Sequence, residues 1–395
     1  MNTRICRIFL AAAGSAGTVF AQGSLTPPGA PGATMKTLAQ VEPRTPITNI
    51  PYTITQPGSY YLTTNLTSAG SGVTIATNGV TLDLMGFTLA GNRSGGGNGI
   101  WLYHASGALP VQGVTVRNGA VNGFNYGIQA KFSQGARFEG LSISSNLNFG
   151  LKLDGLGGRC DGNAIVHCSF TGNGLAAVHL DGSSGQCNGN RIAHCSIGGN
   201  RDDGIGFYAA SSGQCSGNLI YDCSIVGNGD VGISFNSGTG RCNGNRISRC
   251  AVNGNADYGI YLYGTSGQCS GNAISDCTVV GNVSYGIILN GNGGRCEGNA
   301  VVDCTIGDNA GTGIRLNSAC GNRVENNHFF DFAGGTKYGI DSVSSTNNLI
   351  VRNASGGQLY DYSMGTKDVY GPVVTTVGEL ATNDVSAHPW ANFSQ

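Results

Sequence analysis

Short stretches of this chain alternate between apolar and polar residues, and the alternation returns again and again along the sequence. The stretch GISFN at residues 232–236 is an example: Ile233 and Phe235 point to one side and the polar residues to the other, as in a half-buried strand. Glycine and asparagine stand between such stretches, where tight turns favour them. The pattern therefore predicts many short strands separated by turns.

Two motifs repeat with a nearly constant period. The strand motif reads GIWLY from Gly99, GIQAK from Gly127, GLKLD from Gly150, AVHLD from Ala177, GIGFY from Gly204, GISFN from Gly232, GIYLY from Gly259, GIILN from Gly286, GIRLN from Gly313 and GIDSV from Gly339. Six copies of a CxGNxIxxC motif begin at Cys160, and their first cysteines are 27, 28, 27, 27 and 27 residues apart. This period, with three short strands in each copy, predicts the coils of a parallel β-helix that stack about 4.8 Å apart.

The repeat occupies one long domain with different sequences at its ends. Residues 1–21 are predicted to be a secretory signal peptide, because Arg4 and Arg7 precede an apolar run that is short for a membrane anchor. Residues 22–46 are predicted to be an extended Pro/Gly-rich linker followed by an N-terminal cap, and the cap is expected to begin with a short helix near Met35. Residues 47–355 form the predicted β-helix, and residues 356–395 a C-terminal cap in which Trp390 and Phe393 cover the last coil.

Several segments resemble a known group of proteins. They are TPPGAPGATMKTLAQVEPRTPI, PGSYYLTTNLT and NGVTLDLMGFTLAG near the start, the CxGNxIxxC coils, and NNLIVRN with HPWANF near the end. In these segments the chain resembles secreted bacterial right-handed parallel β-helix proteins of the pectate-lyase-like superfamily. The resemblance implies an all-β, right-handed, single-stranded parallel β-helix of about 10–12 coils and export to the periplasm or the cell exterior. It implies no single activity, because the superfamily holds lyases, hydrolases, epimerases and non-catalytic spikes.

The composition of the chain bears on which partners it can bind and on whether its cysteines form disulfides. The 395 residues include 67 glycines and 11% charged residues with a net charge of -1, which argues against nucleic acid as a partner. Twelve of the 14 cysteines form the six repeat pairs, while Cys6 lies in the predicted signal peptide and Cys320 is left over. An oxidising compartment permits a disulfide within each coil, and the alternative is two columns of buried thiols. Zinc is disfavoured because the spacing is C-x7-C.

Stacking of the strand motifs brings four ionisable, outward-facing residues together in one patch. Lys152, Asp154, His179 and Asp181 lie on two adjacent coils. A polysaccharide lyase needs a base that removes the proton beside a uronate carboxylate, and Lys152 or His179 is the predicted base. The alternative is an ordinary exposed strand face.

A column of carboxylates precedes the strand motif on three consecutive coils. It contains Asp202, Asp230 and Asp257, with Asp203 beside the first. Carboxylates about 5 Å apart either raise a pKa or recruit a cation, so a Ca²⁺ site is one interpretation and turn residues that bind local amides are the other. The sequence RDDG at residue 201 faintly resembles the paired aspartates of polygalacturonase-like hydrolases, but the NTD, GHG and RIK elements of that pattern are absent.

Aromatic residues on the outward face favour contact with sugar rings. The candidates are Trp101, Tyr103, Tyr208, Tyr261 and Tyr263. We therefore predict a secreted protein that binds and, if catalytic, cleaves an extracellular polysaccharide by a lyase-like reaction, without a transmembrane segment. The alternative is a non-catalytic cell-surface or adhesion scaffold.

Overall fold

The computed structural model describes residues 43–104, 107, 109–264, 266–375 and 388–394. Residues 1–43 and 44–395 form separate units, and the second contains almost all of the described residues. The predicted signal peptide and the predicted helix near Met35 lie outside them. Over the described ranges the chain forms 41 β-strands and no α-helix.

The strands are short, most of them three or four residues long, and we number them in chain order. They are β1 (Thr45–Ile47), β2 (Tyr52–Ile54), β3 (Gly58–Leu62), β4 (Leu66–Ser68), β5 (Val73–Ile75), β6 (Val80–Asp83), β7 (Thr88–Gly91), β8 (Asn98–Leu102), β9 (Val111–Gln112), β10 (Thr115–Asn122), β11 (Tyr126–Lys131), β12 (Ser133–Gln134), β13 (Arg137–Ser144), β14 (Leu151–Asp154), β15 (Ala164–Val166), β16 (Ser169–Thr171), β17 (Val178–Asp181), β18 (Arg191–Ala193), β19 (Ser196–Gly198), β20 (Ile205–Tyr208), β21 (Leu219–Tyr221), β22 (Ser224–Val226), β23 (Ile233–Asn236), β24 (Arg246–Ser248), β25 (Ala251–Asn253), β26 (Ile260–Tyr263), β27 (Ala273–Ser275), β28 (Thr278–Val280), β29 (Ile287–Asn290), β30 (Ala300–Val302), β31 (Thr305–Gly307), β32 (Ile314–Asn317), β33 (Arg323–Glu325), β34 (His328–Phe330), β35 (Tyr338–Val343), β36 (Leu349–Val351), β37 (Ala354–Gly356), β38 (Tyr360–Ser363), β39 (Val369–Tyr370), β40 (Val373–Val374) and β41 (Asn392–Ser394).

The strands assemble into a parallel β-helix. One sheet of 13 strands takes one strand from each coil, in the order β2, β5, β8, β11, β14, β17, β20, β23, β26, β29, β32, β35 and β38. A second sheet of 26 strands forms the rest of the wall, and β9 pairs with β12 separately. Each strand pairs in parallel with its counterpart one coil away, for example β17 with β20 and β20 with β23. The predicted fold class is confirmed.

The repeated strand motif sets the register and the core. Residues at the same motif position pair across coils, so that Ile205 lies opposite Ile233 and Phe207 opposite Phe235. These side chains point inward and are fully buried. The rings of Phe207 and Phe235 stack with centroids 4.6 Å apart. Because the same apolar position stacks on itself, the core continues along the whole helix instead of forming one centre.

Two asparagine ladders support the turns inside the coils. In the first ladder, which stacks the asparagine of each CxGN sequence, Asn218 Nδ2 donates to Asn245 Oδ1 at 3.0 Å and Asn245 Nδ2 donates to Asn272 Oδ1 at 3.1 Å. A second ladder, not predicted, joins Asn146, Asn173, Asn200, Asn228, Asn255, Asn282 and Asn309. These buried amides bind each other and nearby backbone groups, which satisfies polar groups that cannot reach water.

The cysteines form two columns of thiols, and none of the 13 described cysteines is in a disulfide. The expected disulfide within each coil is therefore absent from the described structure. Its two cysteines belong to different ladders: Cys187 follows the bridge residue Gln186, whereas Cys195 precedes β19. Cys187 Sγ donates to the carbonyl of Leu153 at 3.4 Å. The repeat cysteines are buried and act as small apolar residues with a weak donor.

The C-terminal residues continue the ladders of the helix. Strand β38 pairs with β35, and β41 pairs with both β37 and β40. In this last coil Phe393 lies in register with Ala354. Trp390 is 45% exposed, and the guanidinium of Arg352 lies 4.3 Å from its ring centroid.

Candidate functional site

A cavity of about 340 Å³ lies on the outward face of the 13-stranded sheet, around β17, β20, β23 and β26. Eight of the residues predicted from sequence line it. They are His179, Tyr208, Tyr261 and Tyr263, with the carboxylates Asp202, Asp203, Asp230 and Asp257. The fold therefore brings the predicted acidic column and three of the five predicted aromatic residues into one site.

Within the cavity, one coil carries glycine in place of an outward side chain. Gly206 lies in register between His179 and Ser234. A Cβ atom at Gly206 would lie 3.2 Å from Asp203 Oδ2, 3.4 Å from His179 Nδ1 and 3.5 Å from Ser234 Oγ. Three polar groups thus converge on the space that the missing side chain leaves open.

Asp203 is the most perturbed carboxyl group of the cavity. Its carboxylate accepts a hydrogen bond from Ser234 Oγ and another from the backbone N–H of Val231 at 3.2 Å. Burial raises the pKa of Asp203 to about 7, and repulsion from Asp202 and Asp230 adds to the rise while the Ser234 hydrogen bond opposes it. Asp203 is therefore half-protonated near neutral pH.

The neighbouring carboxylates form a ladder along the edge of the cavity. One oxygen each of Asp202, Asp203 and Asp230 lies within 4.8 Å of the others. Burial raises the pKa of Asp230, and the charges of Asp202 and Asp257 raise it further. Burial also raises the pKa of Asp257. The cluster offers three oxygen ligands of the six to eight that Ca²⁺ takes, so calcium at this site stays a prediction.

The predicted patch around Lys152 forms an ion-paired group beside the cavity, and only His179 of this patch lines it. Lys152 Nζ lies 3.0 Å from Asp181 and 3.8 Å from Asp154, and its side chain is 14% exposed. Burial lowers the pKa of Lys152, but the charges of Asp154 and Asp181 outweigh that effect and the net shift is upward. Lys152 is therefore an ammonium ion at neutral pH, a form that cannot accept a proton.

His179 faces the cavity as a neutral imidazole. Its ring stacks on Phe149 with centroids 4.4 Å apart and an interplanar angle of 12°. Burial lowers the pKa of His179 to about 4, and the charge of Lys152 lowers it further while Asp181 opposes the shift. No described residue forms a hydrogen bond with its ring nitrogens. The imidazole is thus available to a ligand, although its basicity is low.

Tyrosine rings line the wall beyond the carboxylates. The rings of Tyr261 and Tyr263 stack with centroids 5.0 Å apart, and Tyr258 meets Tyr261 edge-on at 4.9 Å. Tyr208 is 40% exposed. Exposed rings beside polar groups are suited to the apolar faces of sugars.

The other two predicted aromatic residues lie elsewhere on the same sheet. Trp101 and Tyr103 stack on each other with centroids 4.5 Å apart. Trp101 belongs to β8, which is separated from β17 by β11 and β14. Neither residue lines the cavity.

Nine of the lining residues were not predicted as part of a site, and they include Phe149, Ser234 and Tyr258. Phe149 and Tyr258 immediately precede the glycine of their strand motifs, the position that Asp203 occupies in its own coil. Aromatic and acidic residues recur in this column, which also contains Tyr126 and Tyr285. The recurrence was a usable signal, because residues of one column stack along the same edge of the sheet.

Two family models match parts of the chain. Residues 64–215 match the right-handed β-helix region, and residues 186–358 match NosD, described as a periplasmic copper-binding protein. No curated protein matches the chain. The chain is thus a right-handed parallel β-helix protein, as the motif resemblance implied.

Solved structures agree with this fold. The A-module of the mannuronan C-5 epimerase AlgE4 from Azotobacter vinelandii is 16% identical, with a TM-score of 0.52, over 81% of this chain and 83% of that module. The catalytic domain of a GH87 α-1,3-glucanase in complex with nigerose is 17% identical, with a TM-score of 0.58, over 78% of this chain and 63% of that one. The Agl-KA catalytic domain is 15% identical, with a TM-score of 0.53, over 75% and 58%.

These similarities are similarities of fold. At that level the chain is similar to proteins that act on polysaccharides. The residues that the structure describes contain no helix of the length and apolar character that crossing a bilayer requires.

Proposed function

We propose that this protein is a glycoside hydrolase of the periplasm or the cell exterior, and that it cleaves a polysaccharide bound in the cavity around Gly206. One observation carries the proposal: Asp203, a carboxyl group with a pKa of about 7, lines a cavity that also has aromatic lining residues, and it lies beside two further carboxylates. A general acid works best when its pKa is near the working pH. The solved structures with a similar fold include a mannuronan epimerase module and a glucanase domain, which supports a polysaccharide as the class of substrate.

In this mechanism Asp203 is the general acid. Its carboxyl proton passes to the glycosidic oxygen as the bond from that oxygen to the anomeric carbon breaks. The space beside Gly206, 3.2 Å from Asp203 Oδ2, is where we place the departing oxygen. Ser234 holds the carboxyl group in position through its hydrogen bond. The tyrosines at and beside β26 bind the face of a sugar ring on one side of the scissile bond.

Asp202 supplies the second carboxylate. Retaining glycosidases have carboxyl groups about 5–5.5 Å apart, whereas inverting enzymes need about 6.5–9.5 Å to admit a water molecule. One oxygen each of Asp202, Asp203 and Asp230 lies within 4.8 Å of the others. This spacing favours the retaining reaction, in which the second carboxylate attacks the anomeric carbon and water later hydrolyses the ester that has formed.

The same carboxylates also support a second candidate, a Ca²⁺-dependent lyase. In that reaction Asp202, Asp203 and Asp230 hold the cation, which neutralises a uronate carboxylate, and His179 removes the adjacent proton. We rank it second because the pKa of His179 is about 4, which makes the imidazole a weak base. Copper is not part of either candidate, because carboxylate oxygens suit hard cations.

The test is incubation with a panel of acidic, neutral and amino-sugar polysaccharides, with Ca²⁺ or with a chelator. Hydrolysis predicts new reducing ends without absorbance at 232 nm, and proton NMR of the first product gives the anomer that separates retention from inversion. Asp203→Asn is expected to lower the rate by about 10²- to 10⁴-fold. Asp276→Asn, which makes the same change at an exposed turn of the 26-stranded sheet, is the control.

Each other outcome selects a different function. Absorbance at 232 nm that needs Ca²⁺ selects the lyase. Binding of a polymer without cleavage selects the non-catalytic scaffold and removes the catalytic role of Asp203. Cleavage that survives Asp203→Asn contradicts the assignment of the general acid.

A further inference from the structure

We infer that the sugar beside the scissile bond carries an ammonium group, so that the substrate is a polymer containing unacetylated amino sugars. The inference rests on the proposed function and adds its substrate class. It comes from the charge distribution of the cavity and from the residues that face the neighbouring sugar position.

The lining of the cavity is acidic without compensation. Its described residues include four aspartates and neither lysine nor arginine. His179 is the only histidine among these described lining residues. A uronate polymer would bring further negative charge to these aspartates, which costs free energy, whereas a cationic sugar would relieve their repulsion.

The nearest basic side chains do not change this balance. Lys152 is bound by Asp181 and Asp154, and Arg315 is bound by Asp341 at 2.9 Å. Arg201 precedes Asp202, but its side chain is exposed and is not part of the lining. The aspartates that line the cavity can therefore bind a cationic group of a ligand.

Asp230 and Asp257 mark where that cation binds. They stand on adjacent coils in register, since the backbone N–H of Asp257 donates to the carbonyl of Asp230 at 3.1 Å. The carboxylate of Asp230 forms no ion pair or hydrogen bond with any described residue, although it faces the cavity. An ammonium group has three donors and no acceptor, which matches carboxylate oxygens on two coils.

The tyrosine rings beside these carboxylates favour the same ligand. Tyr258 follows Asp257, and Tyr261 and Tyr263 lie on β26 of the same coil. The face of a tyrosine ring attracts cations while its apolar surface binds a sugar ring. This position is one coil beyond Asp203, because Asp230 and not Asp203 is the in-register neighbour of Asp257. The ammonium group therefore binds between the coils of Asp230 and Asp257, whereas the proton that cleavage needs is on the preceding coil, at Asp203.

The experiment compares hexamers that differ only in charge. Isothermal titration at pH 6 measures binding of a β-1,4-linked glucosamine hexamer and of the matching glucose hexamer to the Asp203→Asn protein, which slows cleavage. We expect the glucosamine hexamer to bind about tenfold more tightly at low salt, with the difference shrinking at high salt. A galacturonate hexamer is expected to bind most weakly.

Variants locate the effect. Adding Asp230→Asn or Asp257→Asn is expected to weaken the glucosamine hexamer about three- to tenfold and to leave the glucose hexamer within about twofold. Asp276→Asn is the matched control and should change neither affinity. Equal affinity for the charged and neutral hexamers, or a preference that survives both substitutions, overturns the amino-sugar inference and leaves the hydrolase proposal intact. Failure of all three hexamers to bind, together with a lack of hydrolysis across the panel, rejects both.

Discussion

Replacement of Asp203 by asparagine should make the protein more stable at neutral pH while it reduces activity. Burial penalises the ionised carboxylate, so the folded chain holds the proton of Asp203 up to a pKa of about 7. The unfolded chain releases the same proton near the ordinary pKa of 3.8. Between these values the folded state binds more protons than the unfolded state. The free energy of unfolding therefore falls as pH rises through this window.

The magnitude follows from the size of the pKa shift. A shift of about 3 pH units at about 1.4 kcal/mol per unit corresponds to about 4 kcal/mol, lost between about pH 4 and pH 7. Asparagine does not ionise; its amide oxygen can accept the backbone N–H of Val231, and its NH₂ group can donate to Ser234 Oγ once that hydroxyl has rotated. The variant should thus lack this loss and exceed the wild-type protein in stability by several kcal/mol at pH 8, with a much smaller difference at pH 4.

The assay is urea unfolding followed by far-UV circular dichroism at pH 4, 5, 6, 7 and 8. The quantity of interest is the difference in unfolding free energy between the two proteins, because the pH dependence of all other groups cancels in it. Asp276→Asn serves as the control, since it makes the same change at an exposed turn of the opposite sheet.

One result would refute the reasoning. If the difference between Asp203→Asn and the wild-type protein stays constant from pH 4 to pH 8, then Asp203 ionises at its ordinary pKa in the folded protein. The general-acid assignment would lose its physical basis at the same time.

Three further predictions concern the scaffold. Lys152→Met leaves Asp154 and Asp181 close together without their cation and should lower the free energy of unfolding by about 3–5 kcal/mol; a loss below 1 kcal/mol in urea would mean that the ion pairs are weak in solution. Asn245→Ala removes hydrogen bonds to both adjacent coils and should cost about 3 kcal/mol by the same measurement, and an unchanged urea midpoint would contradict the ladder's role. Thiol titration in denaturant without reductant should find the 13 described cysteines reduced, and a count lowered in pairs would reveal disulfides.

The periodicity of the sequence was sufficient to predict the fold. Each coil repeats the same inward positions, such as Ile233 and Phe235, and a residue that stacks on copies of itself needs no long-range packing solution. The same logic placed Asp230 and Asp257 in one column before their contacts were known. A sequence repeat therefore allows the residues that stack in one column of a site to be predicted.

Contacts that cross between columns were harder to predict. The pairing of Lys152 with two carboxylates depends on side-chain direction, and the open space beside Asp203 depends on Gly206, where the repeat has lost a side chain. Trp101 shares its column with cavity residues but lies too many coils away to take part. The cysteines repeat together in sequence, yet they lie in separate ladders, which spacing alone does not distinguish.

The constant coil length has a consequence for how such a protein can change over time. The coil that begins at Cys269 is 27 residues long, and its Asn272 makes the same side-chain hydrogen bond with the coil before it as with the coil after it. Removal or duplication of one whole copy would therefore rejoin both asparagine ladders without a new turn or a new core contact. The region beyond Tyr263 is free to vary in this way, whereas the coils from Phe149 to Tyr263 are tied in number and order by the cavity they share. Related chains of different length should gain or lose coils on the C-terminal side of the site.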